Sequence, residues 1–236
     1  MLSKDKARDI ARGLGWLSQQ PAAFQDDLLS RCQLRRYRER EILIHKDDPP
    51  SGVYCLVSGT MKLEFPAGGD YKIMSFKQPT FWFGQVSSMS RHGSPLTITA
   101  ASQVDVLHLP LHDFERLMEN AENCRLFSLI TLEHFNGVMQ MVTHQLINNV
   151  ERRVALRLAL LARRSDGGLH ASVPISQADL AEMCGLSRPT VQQILSIFER
   201  RGMIRTGYRR IEIVDARALE THGEDLKMEF VPEPAL

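Results

Sequence analysis

Between Asn123 and Asn148 the chain meets a single helix breaker, Gly137, and no other stretch limits its fold so strongly. Within it Leu132, Phe135, Met139, Val142 and Leu146 recur at steps of 3, 4, 3 and 4, which is the seam of a two-stranded coiled coil. Leu129, Val138 and Met141 lie beside that seam, so the helix is expected to carry two apolar sides. Two arrangements satisfy the pattern. Both sides are buried within one subunit, or one packs against the rest of the chain and the other against a partner chain.

The texture on either side of this helix differs. Residues 4–12 and 22–31 read as short amphipathic helices, with Trp16 and Leu17 as packing anchors between them. From Tyr37 onward Glu41–His45, Val53–Val57, Met61–Phe65, Tyr71–Phe76, Leu96–Ala100 and Val104–Leu109 are short, β-branched or aromatic, and separated by Gly, Pro and Asp clusters. Strands this short and this closely spaced predict an antiparallel barrel or jelly roll. A parallel α/β sheet would need crossover helices that the sequence does not contain. After Pro110 come a short helix over 111–119, the long helix, and a core helix over 150–164 whose arginines are expected to snorkel or face solvent, ended by Ser165–Gly168. The fold class is therefore α+β.

Charge is distributed unevenly along the chain. Residues 1–149 carry 16 Lys and Arg against 16 Asp and Glu, residues 150–214 carry 11 against 6, and residues 215–236 carry 2 against 6. A basic segment followed by an acidic tail makes residues 150–214 a candidate for polyanion contact. The 236 residues, 43% of them hydrophobic, suffice for one large or two modest cores. The four cysteines are widely spaced and the start has no apolar leader, so disulfide scaffolds, zinc sites and membrane spans are not expected and a cytoplasmic location is.

Residues 173–214 carry the functional signal. Ser176 followed by Asp179 suggests a capping box starting a helix from Gln177 to Met183, and Cys184–Gly185–Leu186 breaks it. Ser187 then caps a second helix with Pro189 in its first turn. Leu180, Ala181, Leu186, Val191, Ile194 and Phe198 supply the interior of a helix-turn-helix. Met203–Thr206 and Arg209–Val214 form a hairpin, expected to turn at Gly207–Tyr208, which makes the motif winged. In this geometry Arg188, Thr190, Gln192 and Gln193 project from the second helix toward a major groove, where Arg pairs with guanine and Gln with adenine. Ser176, Gln177 and Ser187 suit phosphate positioning, as do Arg209 and Arg210 of the wing. Cys184 reads either as a small buried hydrophobe or as an oxidation switch beside the DNA-binding surface.

In EILIHKDDPPSGVYCLVSGTMKLEF, PTFWFGQVS, the long helix and LAEMCGLSRPTVQQILSIFERRGMIR, in that order, the chain resembles the CRP/FNR family of bacterial transcription regulators. The resemblance implies an N-terminal cyclic-nucleotide-binding-like antiparallel β jelly roll, a long dimerisation helix and a C-terminal winged helix-turn-helix. It divides the chain into a sensor domain over 1–122, a dimerisation helix over 123–148, a DNA-binding domain over 149–222 and an acidic tail over 223–236. It also implies a homodimer on pseudo-palindromic promoter DNA, with RNA polymerase as a partner and no membrane. Two departures bear on the effector. Gly84–Gln85–Val86 stands where cyclic-nucleotide binders carry Gly-Glu-Leu, and Ser94–Pro95 replaces the Arg-Ser or Arg-Thr pair, so neither the ribose-binding carboxylate nor the phosphate-binding guanidinium is present. Only Cys32 lies in the first fifty residues, which disfavours an iron–sulfur cluster. No cofactor is expected, with haem on His92, His108, His134 or His144, or another small-molecule effector, as the alternative. Competing functions are a redox- or haem-responsive regulator of the same fold, a protein-interaction or structural module, and a cupin-like metalloenzyme, the last opposed by the lack of clustered His and carboxylate ligands.

Overall fold

The computed structural model describes residues 2–163 and 168–223. Helices α1 (Lys4–Gly13) and α2 (Ala22–Arg31), joined by a 3-10 turn at Trp16–Gln19, precede a two-sheet β sandwich. One sheet has the order β1 (Gln33–Tyr37), β8 (Val104–Pro110), β3 (Gly52–Ser58), β6 (Trp82–Phe83), and the other β2 (Ile42–Ile44), β7 (Thr97–Ala100), β4 (Met61–Ala67), β5 (Asp70–Lys77). The ladders are antiparallel throughout. Non-consecutive neighbours within each sheet are the mark of a jelly roll.

Alternation along β3 sets the layers. Tyr54 and Leu56 point into the sandwich with Met61, Leu63, Ile98 and Val106, while Val53, Cys55 and Val57 point outward beneath α1 and α2. That double burial is why β3 and β8 read as nearly continuous apolar runs. Trp16 anchors the outer layer, its ring 5.6 Å from Trp82 and 5.4 Å from Phe127.

Helices α4 (Leu111–Met118) and α5 (Ala121–Gln145) follow, α5 being capped by the Asn120 side chain. Leu126, Phe127, Ile130 and Met141 bury one side of α5. The seam of Leu132, Phe135, Met139, Val142 and Leu146 is between 47% and 77% exposed, so a single chain does not bury both sides. The helix ends earlier than expected, and Leu146 is its C-cap.

The C-terminal portion packs α6 (Val150–Ala162), α7 (Gln177–Cys184), α8 (Arg188–Arg200) and α9 (Ala216–Gly223) around a three-stranded sheet, ordered β10 (Ile204–Gly207), β11 (Arg210–Ile213), β9 (Ser172–Val173). Its core takes in Phe76 from β5 as well as Leu158, Leu180, Val191, Phe198 and Leu219.

Several expectations are corrected. The sequence pattern does not mark strands β1, β6 and β9, the short helix α3 (Gln85–Ser90) or α9. The wing turns at Tyr208–Arg209, not Gly207–Tyr208, because Gly207 pairs with Arg210 and Arg209 takes the left-handed conformation, φ 52°. Arg157 neither snorkels nor faces solvent; it is 4% exposed and donates to the Met183 carbonyl at 3.3 Å. Most of the expected Ser165–Gly168 stop, and the acidic tail beyond Gly223, lie outside the described residues.

Candidate nucleic-acid interface and barrel cavity

The helix pair is built by its caps. The Ser176 side chain accepts from Asp179 N at 3.1 Å and Asp179 reaches back to Ser176 N, a complete capping box. Ser176 Oγ also donates to Asp179 Oδ2 at 2.6 Å, so its hydroxyl is engaged within the helix end. Gly185 ends α7 at φ 63°, a left-handed conformation that glycine adopts without a Cβ penalty. Ser187 caps α8 through Thr190 N at 3.3 Å, and its Oγ lies 2.8 Å from Thr190 Oγ1.

Burial divides α8 cleanly. Val191, Ile194, Leu195 and Phe198 face the core, whereas Arg188, Gln192 and Gln193 are exposed. Ser187 is exposed, and Gln177 and Thr190 are half-buried. Among the described residues Arg188 has no carboxylate partner, so its guanidinium is free to meet an external acceptor. The wing arginines are exposed but engaged: Arg210 pairs with Glu212 along β11, and Arg209 lies 3.9 Å from Glu39 of the sandwich.

Two residues at this surface were missed from sequence. Glu199 Oε1 accepts from Thr206 N at 2.6 Å and Thr206 Oγ1 at 2.7 Å, which pins the wing to α8. Tyr208, at the wing tip, is 93% exposed. A charged residue in the last turn of a recognition helix gives no sequence signal of what it binds, but the hairpin itself could have marked Tyr208.

Cys184 is fully buried, and burial pushes its thiol up to about 11 despite the nearby Arg157. A reactive thiol needs exposure and a lowered pKa. Cys184 has neither, which favours its reading as a small buried hydrophobe over that as an oxidation switch.

The helix pair is fastened to the rest of the chain at α7. Glu182 Oε1 accepts from Ile73 N of β5 at 2.9 Å. Gln145 Nε2, at the end of α5, donates to the Met183 carbonyl at 2.6 Å, and Arg157 shares that acceptor.

Between the sandwich, α5 and α6 lies a cavity of about 1000 Å³. Phe81 and Phe83 line it, whereas Trp82 packs outward on Trp16. Gly84 takes φ 91°, and a Cβ there would come within 2.5 Å of the Gly52 carbonyl, so the chain enters α3 by a turn only glycine fits. Gln85 is 1% exposed and its Nε2 lies 2.9 Å from His134 Nδ1. Ser94 Oγ donates to the Leu96 carbonyl at 2.7 Å, so position 94 offers a phosphate neither a guanidinium nor a free hydroxyl. Burial, then Lys77, hold His134 down at about 3, and burial lowers Lys77 to about 8.

The other three histidines considered for haem lie in separate surroundings. His108 is buried against Tyr54 with Nε2 2.9 Å from the Ser51 carbonyl, His144 lies near Arg157 and Arg163, and His92 is exposed. Among the described residues no group of three or more His, Cys, Asp or Glu side chains is placed to hold a metal ion, and no helix is long and apolar enough to cross a membrane.

Residues 34–121 match the cyclic nucleotide-binding domain family and residues 152–222 the Crp-like helix-turn-helix domain family. The HTH-type transcriptional regulator Cmr of Mycobacterium tuberculosis is 25% identical over 91% of this chain and 87% of its own length. The transcriptional activator protein FnrA of Stutzerimonas stutzeri is 24% identical over 86% and 84%. Among solved structures, FixK2 from Bradyrhizobium japonicum superposes with a TM-score of 0.69 at 20% identity, over 80% of this chain and 96% of that one, a likeness of fold.

Proposed function

We propose that this chain, which belongs to the CRP/FNR family of DNA-binding regulators, acts as a homodimer on pseudo-palindromic promoter sites and answers to an effector that is not a cyclic nucleotide. The observation that carries this reading is the pairing of two unpartnered surfaces: the polar face of α8 beside the wing, and the apolar seam of α5. A two-fold pairing of α5 helices buries the seam and presents two recognition helices to successive major grooves, which requires a site of matching symmetry. Arg188, Thr190, Gln192 and Gln193 then contact base edges or adjacent phosphates, and Gln177, Ser187, Arg209 and Arg210 the backbone. Ser176 takes part by fixing the start of α7 against the backbone, its hydroxyl and its N–H both being held by Asp179.

The domain boundaries proposed are 1–122 for the sensor, 123–148 for dimerisation, 149–222 for DNA binding and 223–236 for the tail. The likeness to the family supports adding RNA polymerase as partner, a cytoplasmic location and a non-catalytic role to this proposal. The loss of a carboxylate at Gln85 and of an arginine at Ser94 supports an effector other than cAMP. The test is selection and sequencing of DNA fragments retained by the purified protein, followed by titration of the selected site at several salt concentrations. A two-fold symmetric consensus bound with a steep salt slope is the expected result; retention without any enriched sequence would refute the reading.

A further inference from the structure

The cavity between the sandwich and α5 holds a pair of polar side chains whose hydrogen bonding is incomplete. Gln85 and His134 both line it and meet at 2.9 Å, yet Gln85 Oε1 and His134 Nε2 have no partner. If Gln85 Nε2 donates, His134 Nδ1 accepts and the neutral ring carries its proton on Nε2, which leaves one donor and one acceptor over. If both groups are reversed, donor and acceptor exchange places and the unfilled complement is the same. Gln78 Nε2, on the same cavity, is a third orphaned polar atom. Buried polar atoms without partners cost free energy, and a ligand edge that completes them recovers it.

The rest of the wall fixes the other requirements. Phe65, Met74, Phe81, Phe83, Leu96 and Ile98 give it an apolar character. The charged residues on it compensate one another: Arg163 bonds Glu220 at 3.1 Å, and Lys77 faces Glu133 with its ammonium 4.6 Å over the Phe81 ring. Asp48 adds a further negative charge. An anionic ligand would therefore find no cation without a carboxylate beside it, and would leave water for a wall of no net positive charge.

We propose that this cavity binds an uncharged small molecule with an apolar body and an amide-like edge, one hydrogen-bond donor next to one acceptor, held by Gln85 and His134. The ligand touches the sandwich through Gln85 and α5 through His134, so it bridges the sensor to the helix that carries the seam. This deepens the regulator reading by naming its effector class, and it is measured without DNA, so either can fail while the other stands.

The probe is N-phenyl-1-naphthylamine, a neutral aromatic amine that brightens on entering an apolar site, added to the full chain and then displaced. Octanamide should displace it at one-tenth or less of the concentration needed for octanoate at pH 8, and cAMP should not displace it. In Gln85→Met and His134→Phe the probe should still enter, while the preference for the amide over the carboxylate falls to about threefold or less. Thermal melts identify any variant that fails to fold, and the other variant then carries the test. Octanoate equal to or better than octanamide, no uptake of the probe by the wild type, or an amide preference unchanged in the folded variants would each overturn the proposal.

Discussion

Arg188 occupies the first turn of α8 and Gln193 its exposed side, whereas Arg209 sits at the wing tip beside Glu39. Base reading and backbone neutralisation leave different signatures at these residues. Arg188→Ala or Gln193→Ala should cost about 1–3 kcal/mol on the preferred site and relax discrimination at particular base pairs. Arg209→Ala should weaken preferred and mutated sites by similar factors and lower the salt slope by about one. Titration of each variant against single-base site variants separates the two, and uniform weakening by both helix substitutions would remove the base-reading roles. The buried histidines make a second residue-scale prediction. His134 and His144 are held at about 3 and about 4 by burial, helped by Lys77 for the first and by Arg157 and Arg163 for the second. Both rings titrate near 6.5 once unfolded, so below that pH the unfolded chain binds more protons than the folded one. Their contribution is complete above about 6.5 and is lost as the pH falls toward the folded values, at up to ~1.4 kcal/mol per pH unit for each, less where solvent reaches the ring. Urea midpoints should drop between pH 6.5 and 5, and His134→Gln should flatten the drop; parallel curves for the two proteins would count against a neutral buried His134.

At the scale of elements, α5 has one committed side and one open one. Leu126, Phe127 and Ile130 seat it on the N-terminal helices, and the seam is left facing outward. A carboxylate at Met139 would be buried against its symmetry mate in the proposed dimer, at a cost of ~3 kcal/mol or more of assembly. Sedimentation of Met139→Glu should therefore find monomer at concentrations where the wild type is dimeric, and an unchanged dimer would place the interface elsewhere. The lower end of the same helix is tied to the DNA-binding motif, because Gln145 and Arg157 both donate to the Met183 carbonyl in the last turn of α7. A carbonyl at a helix end has no intrahelical partner and so accepts such bonds readily. The seam could be read from sequence because its spacing is local. The Met183 clamp could not, since Arg157 and its acceptor are 26 residues apart and a lone arginine among leucines normally extends to solvent.

For the molecule as a whole, the sandwich and the C-terminal helix-turn-helix portion share walls. Phe76 of β5 belongs to the core of the C-terminal portion, and β5 also lines the cavity and holds α7 by the hydrogen bond that Ile73 N donates to Glu182. A ligand in the cavity is thus separated from the helix-turn-helix by a single strand. Calorimetry with cAMP and cGMP should give no micromolar isotherm, since Gln85 offers no carboxylate and Ser94 no charge; a clear one-per-chain isotherm would mean the phosphate is met by another arrangement. The sequence by itself determined the strand-rich half, the long helix with its seam, the capped helix pair and its exposed Arg188 and Gln193, because periodicity, caps and turn residues act over a few neighbouring positions. Only the tertiary structure decided that Arg157 is buried, that the wing turns at Tyr208–Arg209 under the hold of Glu199, that the Cys184 thiol is buried, and that Gln85 meets His134 at the wall of a cavity. Each of these depends on groups brought together from distant parts of the chain, where desolvation and hydrogen-bond geometry, not local propensity, set the outcome.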